Sequence, residues 1–193
     1  DAYNTKPFLK FLAQVACGVI LCATGTIIKL FPYDYLNYFI TLFWIVGIMN
    51  SINMLDNMDA ITATISCTII FSALIVLAFL NSYNSIEFII LVGILAALIG
   101  FLFHNWNPSK IYMGDTGSQF LGVLLGAIAI SCFWNTPFDH HTSQTKQVVL
   151  TSIVFIIPIV DTTTVTINRL FKGQSPFVGG KDHTTHPLSY AGF

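Results

Sequence analysis

Residues 49–61, MNSINMLDNMDAI, decide the fold because they interrupt an otherwise apolar sequence with three asparagines and two aspartates. A polar group in hydrocarbon costs several kcal/mol unless it is paired or hydrated. The stretch therefore either lies in water or lines a site that requires its polar groups. Capping a helix end at a membrane surface needs one such residue rather than five, so we favour a functional site.

The composition of the stretch also predicts where a helix ends. Asn and Asp are unfavourable inside a helix and favour caps and turns. We therefore expect a helix to end near Leu55, so that the carboxylates of Asp56 and Asp59 turn toward a shared cavity. The asparagines recur at helical spacing and would share one stripe of that helix: Asn50, Asn53 and Asn57.

The whole chain has the composition of an integral membrane protein. Of its 193 residues 54% are hydrophobic and only 9% are charged, whereas soluble domains carry roughly a quarter charged residues. The net charge of −1 argues against a nucleic-acid partner, because no basic patch is present to neutralise phosphates. The four cysteines lie scattered in apolar runs, which favours small buried side chains over disulfides or metal ligands.

Apolar runs outward from this stretch predict six membrane-spanning helices, since a span needs about 20 mostly apolar residues. They cover residues 11–30, 35–49, 61–80, 87–103, 120–134 and 148–167. No long polar linker separates them, so we expect one all-α, polytopic membrane-embedded domain over residues 1–193. The chain begins at Asp1 without a methionine, which predicts that it is an N-terminally truncated fragment.

Six crossings place alternate loops on opposite sides of the membrane. Side one, with residues 1–10, 50–60, 104–117 and the tail from 168, holds six lysines and arginines, and side two holds two. The positive-inside rule then predicts that side one is cytoplasmic. The side-one loops are also dense in Asp, Asn, Gly and His, so all of these groups can converge at one membrane face.

The second polar segment is NPSKIYMGDTGSQFLG, residues 107–122. Glycines at 114 and 117 allow a tight turn, and Asp115 lies just ahead of the next apolar run. This carboxylate could cap the helix, or it could bind Mg²⁺, a hard cation that is held by one or two carboxylates and substrate phosphates. Lys110 could contact a phosphate or serve as a positive anchor at the membrane surface.

Two further features carry titratable groups. The tail GGKDHTTHPLSYAGF, residues 179–193, contains His183 and His186, which could bind a metal, transfer protons or donate hydrogen bonds to phosphate or sugar. Asp161 lies inside the last predicted span, three residues after Pro158. A carboxyl group at that depth is a functional candidate, and its alternative is pairing with threonine hydroxyls or with backbone freed by the proline.

Together these segments resemble the bacterial polyprenyl-phosphate N-acetylhexosamine-1-phosphate transferases, the WecA- and MraY-like enzymes. NSINMLDNMDAI is similar to their Asn-x-x-Asn-x-x-Asp-x-x-Asp signature, and NWNPSKIYMGDTGS, PIVDTTTVTINRL and the histidine tail are similar to their later motifs. The opening DAYNTKPFLKFLAQ resembles the segment that follows their Asp-Asp pair, so Asp1 would be the second of that pair. The family carries Gly after each signature aspartate, where Asn57 and Ala60 stand here.

The resemblance implies a Mg²⁺-dependent enzyme, with Mn²⁺ as an alternative metal, that transfers a sugar phosphate from a UDP-N-acetylhexosamine to polyprenyl phosphate and releases UMP. It would work on the cytoplasmic face of the bacterial inner membrane, in the first membrane step of cell-envelope glycan synthesis. The wording of the motifs is closer to the N-acetylglucosamine-1-phosphate branch than to the branch that uses a muramyl-pentapeptide nucleotide. The oligomeric state stays open, a homo-oligomer included.

The resemblance also implies roles for individual residues. Asp115 would bind the metal, and Asp1 would be a second metal ligand or the base that acts on the lipid phosphate. Further catalytic residues would be Asp56, Asp59, His183 and His186. Residues that bind the nucleotide and its phosphates would be Asn50, Asn53, Asn105, Lys110 and Asp161.

Two other classes of protein, a membrane transporter and a non-catalytic scaffold, are alternatives to an enzyme. A transporter or proton pathway would place ionisable residues near the bilayer midplane, often in repeated halves, whereas most acids here cluster at one face and no repeat is visible. A non-catalytic membrane scaffold predicts that the loop carboxylates are individually dispensable.

Overall fold

A computed structural model describes residues 7–136 and 144–173 of the chain. Within these ranges the backbone forms α-helices and no β-strand, which confirms the predicted all-α class. The helices are α1 Pro7–Ala23, α2 Asp34–Leu55, α3 Ile61–Phe79, α4 Ile86–Asn105, α5 Gly114–Ala129, α6 Gln144–Val154 and α7 Ile156–Phe171. A π-helical turn, Ile130–Trp134, continues α5.

The predicted count of six membrane spans is slightly too high. Four helices in the described part of the chain, α2 to α5 with its π-helical turn, are long and apolar enough to cross a membrane. Helices α6 and α7 make a fifth span if they are counted together, although they are bent by 73°. Helix α1 is apolar but shorter, with 17 residues. The described part of the chain is therefore a multi-pass membrane bundle with four or five spans.

The first predicted span, 11–30, fails because helix α1 ends at Ala23. The amides of Gly25 and Thr26 bond back to the carbonyls of Cys22 and Leu21, and Gly25 adopts the left-handed φ of +83°. This is the Schellman arrangement that closes a helix, and glycine adopts it without strain. The following residues leave the helix, and the backbone N–H of Ile28 donates to Thr41 Oγ1 of α2 at 2.9 Å.

The last predicted span, 148–167, contains a bend because Pro158 lies early in α7. Proline has no N–H to donate to the carbonyl four residues earlier, which is Val154, and its ring collides with that carbonyl. Helix α6 ends at Val154, and α7 starts after Phe155. The fully buried Phe155 ring contacts Trp44 of α2 and Phe133 of the π-helical turn edge-on, which holds the bend against the bundle.

Helices α2 and α5 approach each other most closely at a row of small residues on α5: Ser118, Gly122 and Gly126. A Cβ built on Gly122 would lie 2.6 Å from Met49 Cα, and one on Gly126 would lie 2.9 Å from Ile45 Cδ1. Small residues at such positions let membrane helices pack backbone against backbone. This contact places the end of α2 directly beside the start of α5.

The polar loops meet at one end of the bundle, as predicted. The start of α1, the end of α2 and the start of α5 contact each other through Lys10, Asn53 and Asp115. At the opposite end, the backbone N–H of Lys29 donates to Asn135 Oδ1 at 3.0 Å. The convergence of the first and second polar segments is therefore a property of the fold.

Candidate active site

Asp115 lies in the first turn of α5, which begins at Gly114 with a left-handed φ of +67°. Asn53 Nδ2 donates to Asp115 Oδ1 at 3.1 Å and to Ser118 Oγ at 2.8 Å. The other carboxylate oxygen, Oδ2, pairs with Lys10 Nζ. The side chain remains 31% exposed, so Asp115 is held toward α2 and α1 and stays accessible. It is not the helix cap, since Met113 occupies that position.

A second polar contact between α1 and α5 lies one helical turn beyond the Lys10–Asp115 pair. Gln14 Nε2 donates to Gln119 Oε1 at 3.1 Å, and Gln14 is almost completely buried. Lys10 and Gln14 are four residues apart on α1, and their partners Asp115 and Gln119 are four residues apart on α5. The two helices therefore run in the same direction and in register at the site.

Asp59 is fixed by the loop that precedes α5. Ser109 Oγ donates to Asp59 Oδ1 at 2.8 Å, while the Ser109 backbone N–H and Asn107 Nδ2 donate to Oδ2 at 3.2 and 3.1 Å. These donors, the Ser109 hydroxyl first, hold the pKa of Asp59 below its usual range. Asp59 thus presents an ionised and oriented carboxylate at the surface.

Asp56 follows directly after the last residue of α2, as the sequence predicts. Its environment shifts the carboxyl pKa in the direction opposite to that of Asp59. Partial burial raises the pKa of its carboxyl group. The Thr62 hydroxyl and the Gly114 backbone N–H lie toward the carboxylate and offset part of this effect. Thr62 Oγ1 is buried and has no hydrogen-bond partner among the described residues, so it acts on Asp56 at longer range. Asp56 and Asp59 therefore differ in proton affinity although they are three residues apart.

Asn105 joins the two loops that carry these groups. Its Oδ1 accepts from the Ala60 backbone N–H at 3.0 Å, and its Nδ2 donates to the Ile111 carbonyl at 2.8 Å. Asn105 is buried, and both ends of its amide are engaged by backbone. Its geometry is that of a residue that positions the loops, and the nucleotide-binding role expected for it stays a prediction.

The other predicted site residues are placed differently. Asn50 is half-buried on α2 and forms no side-chain hydrogen bond with the residues that the structure describes. The Lys110 side chain is exposed beside the Asp59 loop. Asp161 is buried on the face of α7 that packs against α2 near Ser51, whose hydroxyl donates to the Pro158 carbonyl at 2.6 Å.

Three predicted site residues lie outside the described residues. They are Asp1, His183 and His186.

The side chains around Asp115 fit a Mg²⁺ site in which the phosphates of the substrate provide the remaining ligands. Among residues 7–136 and 144–173, no group of three or more Asp, Glu, His or Cys side chains could hold a metal ion. Mg²⁺ nevertheless binds through one or two carboxylates plus phosphates and waters, rather than through an all-protein cage. Asp115 is oriented and accessible, so it could supply one such carboxylate.

Lys10 was not predicted as a site residue, because its sequence position indicated only a positive charge near the membrane surface. Three further residues were not predicted either: Ser109 and Asn107, which donate to the Asp59 carboxylate, and Ser118, which accepts from Asn53 Nδ2. For Lys10 a signal was present, because polar residues four apart occur near the start of both α1 and α5, within otherwise apolar helices. Serine donors carry no such signal, since serine is common in loops and in membrane helices.

Comparison with known proteins gives consistent matches. The model of glycosyl transferase family 4 matches residues 1–133. A probable undecaprenyl-phosphate N-acetylglucosaminyl 1-phosphate transferase of Bacillus subtilis (strain 168) is 33% identical over 97% of this chain and 53% of its own length. A phospho-N-acetylmuramoyl-pentapeptide-transferase of Streptococcus agalactiae serotype III is 40% identical over 65% of this chain and 40% of its own length. The chain thus spans about half the length of these relatives, 40% to 53%.

Proposed function

The chain belongs to glycosyl transferase family 4, and on this basis we propose that its protein transfers N-acetylglucosamine 1-phosphate from a UDP-linked sugar to undecaprenyl phosphate. The observation that carries the proposal is the convergence of Asp115, Asn53 and Lys10 beside Asp56 and Asp59, at one end of an apolar bundle. A reaction between a lipid phosphate and a water-soluble nucleotide sugar requires a polar site at the membrane surface.

The proposed reaction is a displacement at phosphorus. An oxygen of the lipid phosphate forms a bond to the phosphorus that carries the sugar, and the bond from that phosphorus to the UMP oxygen breaks. The products are UMP and a lipid pyrophosphate-linked sugar. Such a transfer depends on positioning and charge stabilisation more than on covalent chemistry by the protein.

Asp115 would hold Mg²⁺, or Mn²⁺ in its place. The bound metal ion supplies the positive charge that lets two anionic phosphates approach each other. Asn53 orients the Asp115 carboxylate by its hydrogen bond, and the Gly122 contact fixes the distance between their helices.

The two remaining carboxyl groups suit different tasks. Asp59, ionised and held by three donors, would accept hydrogen bonds from the nucleotide or from metal-bound water. Asp56, whose pKa is raised by burial, would hold a proton at a higher pH than an ordinary aspartate does. The family resemblance assigns phosphate or sugar contacts to His183 and His186, and a ligand or base role to Asp1.

The cytoplasmic face of a bacterial plasma membrane is the proposed location of the site. Six lysines and arginines against two favour this orientation by the positive-inside rule. The described residues form four or five spans rather than six, so the proposed orientation also draws on the site itself, where Lys10 lies at the same end of the bundle as Asp115.

A second nucleotide-sugar substrate, the muramyl-pentapeptide nucleotide, is also supported by matches to known proteins. Relatives that transfer phospho-N-acetylmuramoyl-pentapeptide match 63% to 65% of the chain. The N-acetylglucosaminyl relative matches 97%, which extends through α6 and α7. The longer match favours N-acetylglucosamine over the muramyl-pentapeptide nucleotide.

The test is UMP release by the intact protein in detergent, with Mg²⁺ and polyprenyl phosphate, from UDP-N-acetylglucosamine and separately from UDP-N-acetylmuramyl-pentapeptide. UMP from the first donor alone is the expected result. UMP from the second alone keeps the chemistry and changes the donor. Absence of UMP with both donors contradicts the proposal, and ion flux in vesicles without any nucleotide would then support a transporter.

A further inference from the structure

Both oxygens of the Asp115 carboxylate have a donor within the structure. Asn53 Nδ2 lies 3.1 Å from Oδ1, and Lys10 Nζ pairs with Oδ2. A metal ion that coordinates Asp115 therefore enters a site in which a positively charged group is already present. Whether each donor can stay beside the metal ion depends on the charge that the donor carries.

The two donors respond differently to an arriving cation. The Asn53 amide is neutral, and a carboxylate oxygen has enough lone pairs to accept its hydrogen bond and to bind a metal at the same time. The Lys10 ammonium group carries a full positive charge, and like charges a few ångströms apart repel strongly even near a protein surface. Lys10 is therefore the group that leaves.

Lys10 can leave without moving its helix. Its side chain is 33% exposed. The ammonium group lies at the end of a flexible four-carbon chain, so it can rotate toward solvent. One turn further along α1, the buried Gln14 remains bonded to Gln119 at 3.1 Å. The contact between α1 and α5 is thus kept by a pair of neutral residues while the charged pair opens.

We propose that Lys10 is a placeholder cation that neutralises Asp115 in the metal-free protein and competes with the divalent metal ion for the same carboxylate. The inference rests on the proposed function only in assigning the metal to Asp115. It has a consequence that a simple binding role for Lys10 would not have. Removing the Lys10 charge strengthens metal binding, because the metal no longer has to displace an ion pair.

The test is the affinity of the intact protein in detergent for Mn²⁺, measured by electron paramagnetic resonance of the free ion without nucleotide or lipid. Lys10→Met is expected to lower the dissociation constant about fivefold, the factor that a partly exposed ion pair contributes. Lys10→Arg keeps the charge and the wild-type affinity. Lys29→Met removes a lysine at the opposite end of the bundle and serves as the matched control, with no change expected.

Equal or weaker Mn²⁺ binding by Lys10→Met overturns the placeholder role. Asp115→Asn separates this failure from a failure of the metal assignment. If Asp115→Asn abolishes binding while Lys10→Met does not tighten it, only the placeholder is wrong. If Asp115→Asn binds Mn²⁺ as tightly as the wild type, both the metal assignment and the placeholder fall.

A measurement on the unmutated residue covers the case in which Lys10→Met does not fold. Reductive ¹³C-methylation keeps the lysine charge, and the Lys10 signal is identified by its absence in Lys10→Arg. Addition of Mg²⁺ is expected to shift this signal as the ion pair opens. A signal that does not respond to saturating Mg²⁺ overturns the proposal.

Discussion

Asn53 Nδ2, near the end of α2, donates to Asp115 Oδ1 in the first turn of α5 over 3.1 Å, although the two residues are 62 positions apart in the sequence. This hydrogen bond joins the two polar segments into one site. Asn53, one of the three asparagines of the predicted stripe, thus contacts α5.

Asn53→Ala is expected to lower UMP release about ten- to a hundredfold, because a hydrogen bond to a charged group contributes about 1.5–3 kcal/mol. The loss should arise from a misoriented Asp115 rather than from unfolding. Asn84→Ala, in the loop at the opposite end, is the control and should retain full activity. Equal activity of the two variants would show that the Asn53–Asp115 bond is not used.

Gly122→Ala is expected to destabilise the bundle by about 1–3 kcal/mol, the usual cost of overpacking. The added Cβ would lie 2.6 Å from Met49 Cα, so the backbones of α2 and α5 have to separate. Thermal unfolding in detergent measures the effect. Gly100→Ala on α4 is the matched control, since its Cβ would meet nothing within 4 Å, and an unchanged melting temperature is expected there. Identical behaviour of both variants would contradict the close approach of α2 and α5.

Ala60→Gly is expected to stabilise the protein by about 1 kcal/mol, because Ala60 has a left-handed φ of +67° that strains any residue with a Cβ. Asn57→Gly is the comparison, since Asn57 does not have a positive φ and should gain nothing. Melting temperatures of the two variants decide the matter. A lower melting temperature for Ala60→Gly would mean that the turn is formed differently.

Asp56→Asn is expected to raise the melting temperature near neutral pH. It should leave the melting temperature unchanged at about pH 4, close to the ordinary pKa of an aspartate. The folded-state pKa of Asp56 is raised, so the ionised form is disfavoured in the folded protein. Stability is then lost as pH rises from the unfolded-state pKa through the folded-state pKa. Removing the charge should recover this loss while it reduces activity. A melting temperature that is lowered near neutral pH would show that the Asp56 charge is stabilised instead.

Local chemistry made part of this site predictable from sequence. Five polar residues after an apolar run predicted a helix end near Leu55, and α2 ends there. The glycines around Asp115 predicted a turn before a helix, and Gly114 provides it. Both conclusions depend on residues within a few positions of each other.

The remaining features depend on contacts that no local pattern encodes. Hydropathy does not distinguish a continuous span from one that Gly25 closes in the left-handed conformation, so the first span was predicted too long. The Lys10–Asp115 pair joins residues 105 positions apart, and it forms because α1 and α5 lie side by side. That geometry follows from packing of the whole bundle.

The central claim is that Asp115 is indispensable for transfer of the sugar phosphate to the lipid. The direct test compares UMP release from UDP-N-acetylglucosamine by wild type, Asp115→Asn and Asp34→Asn, which removes an acid at the opposite end of α2. The account predicts no detectable UMP from Asp115→Asn and wild-type release from Asp34→Asn. Release near the wild-type rate by a folded Asp115→Asn variant would contradict it.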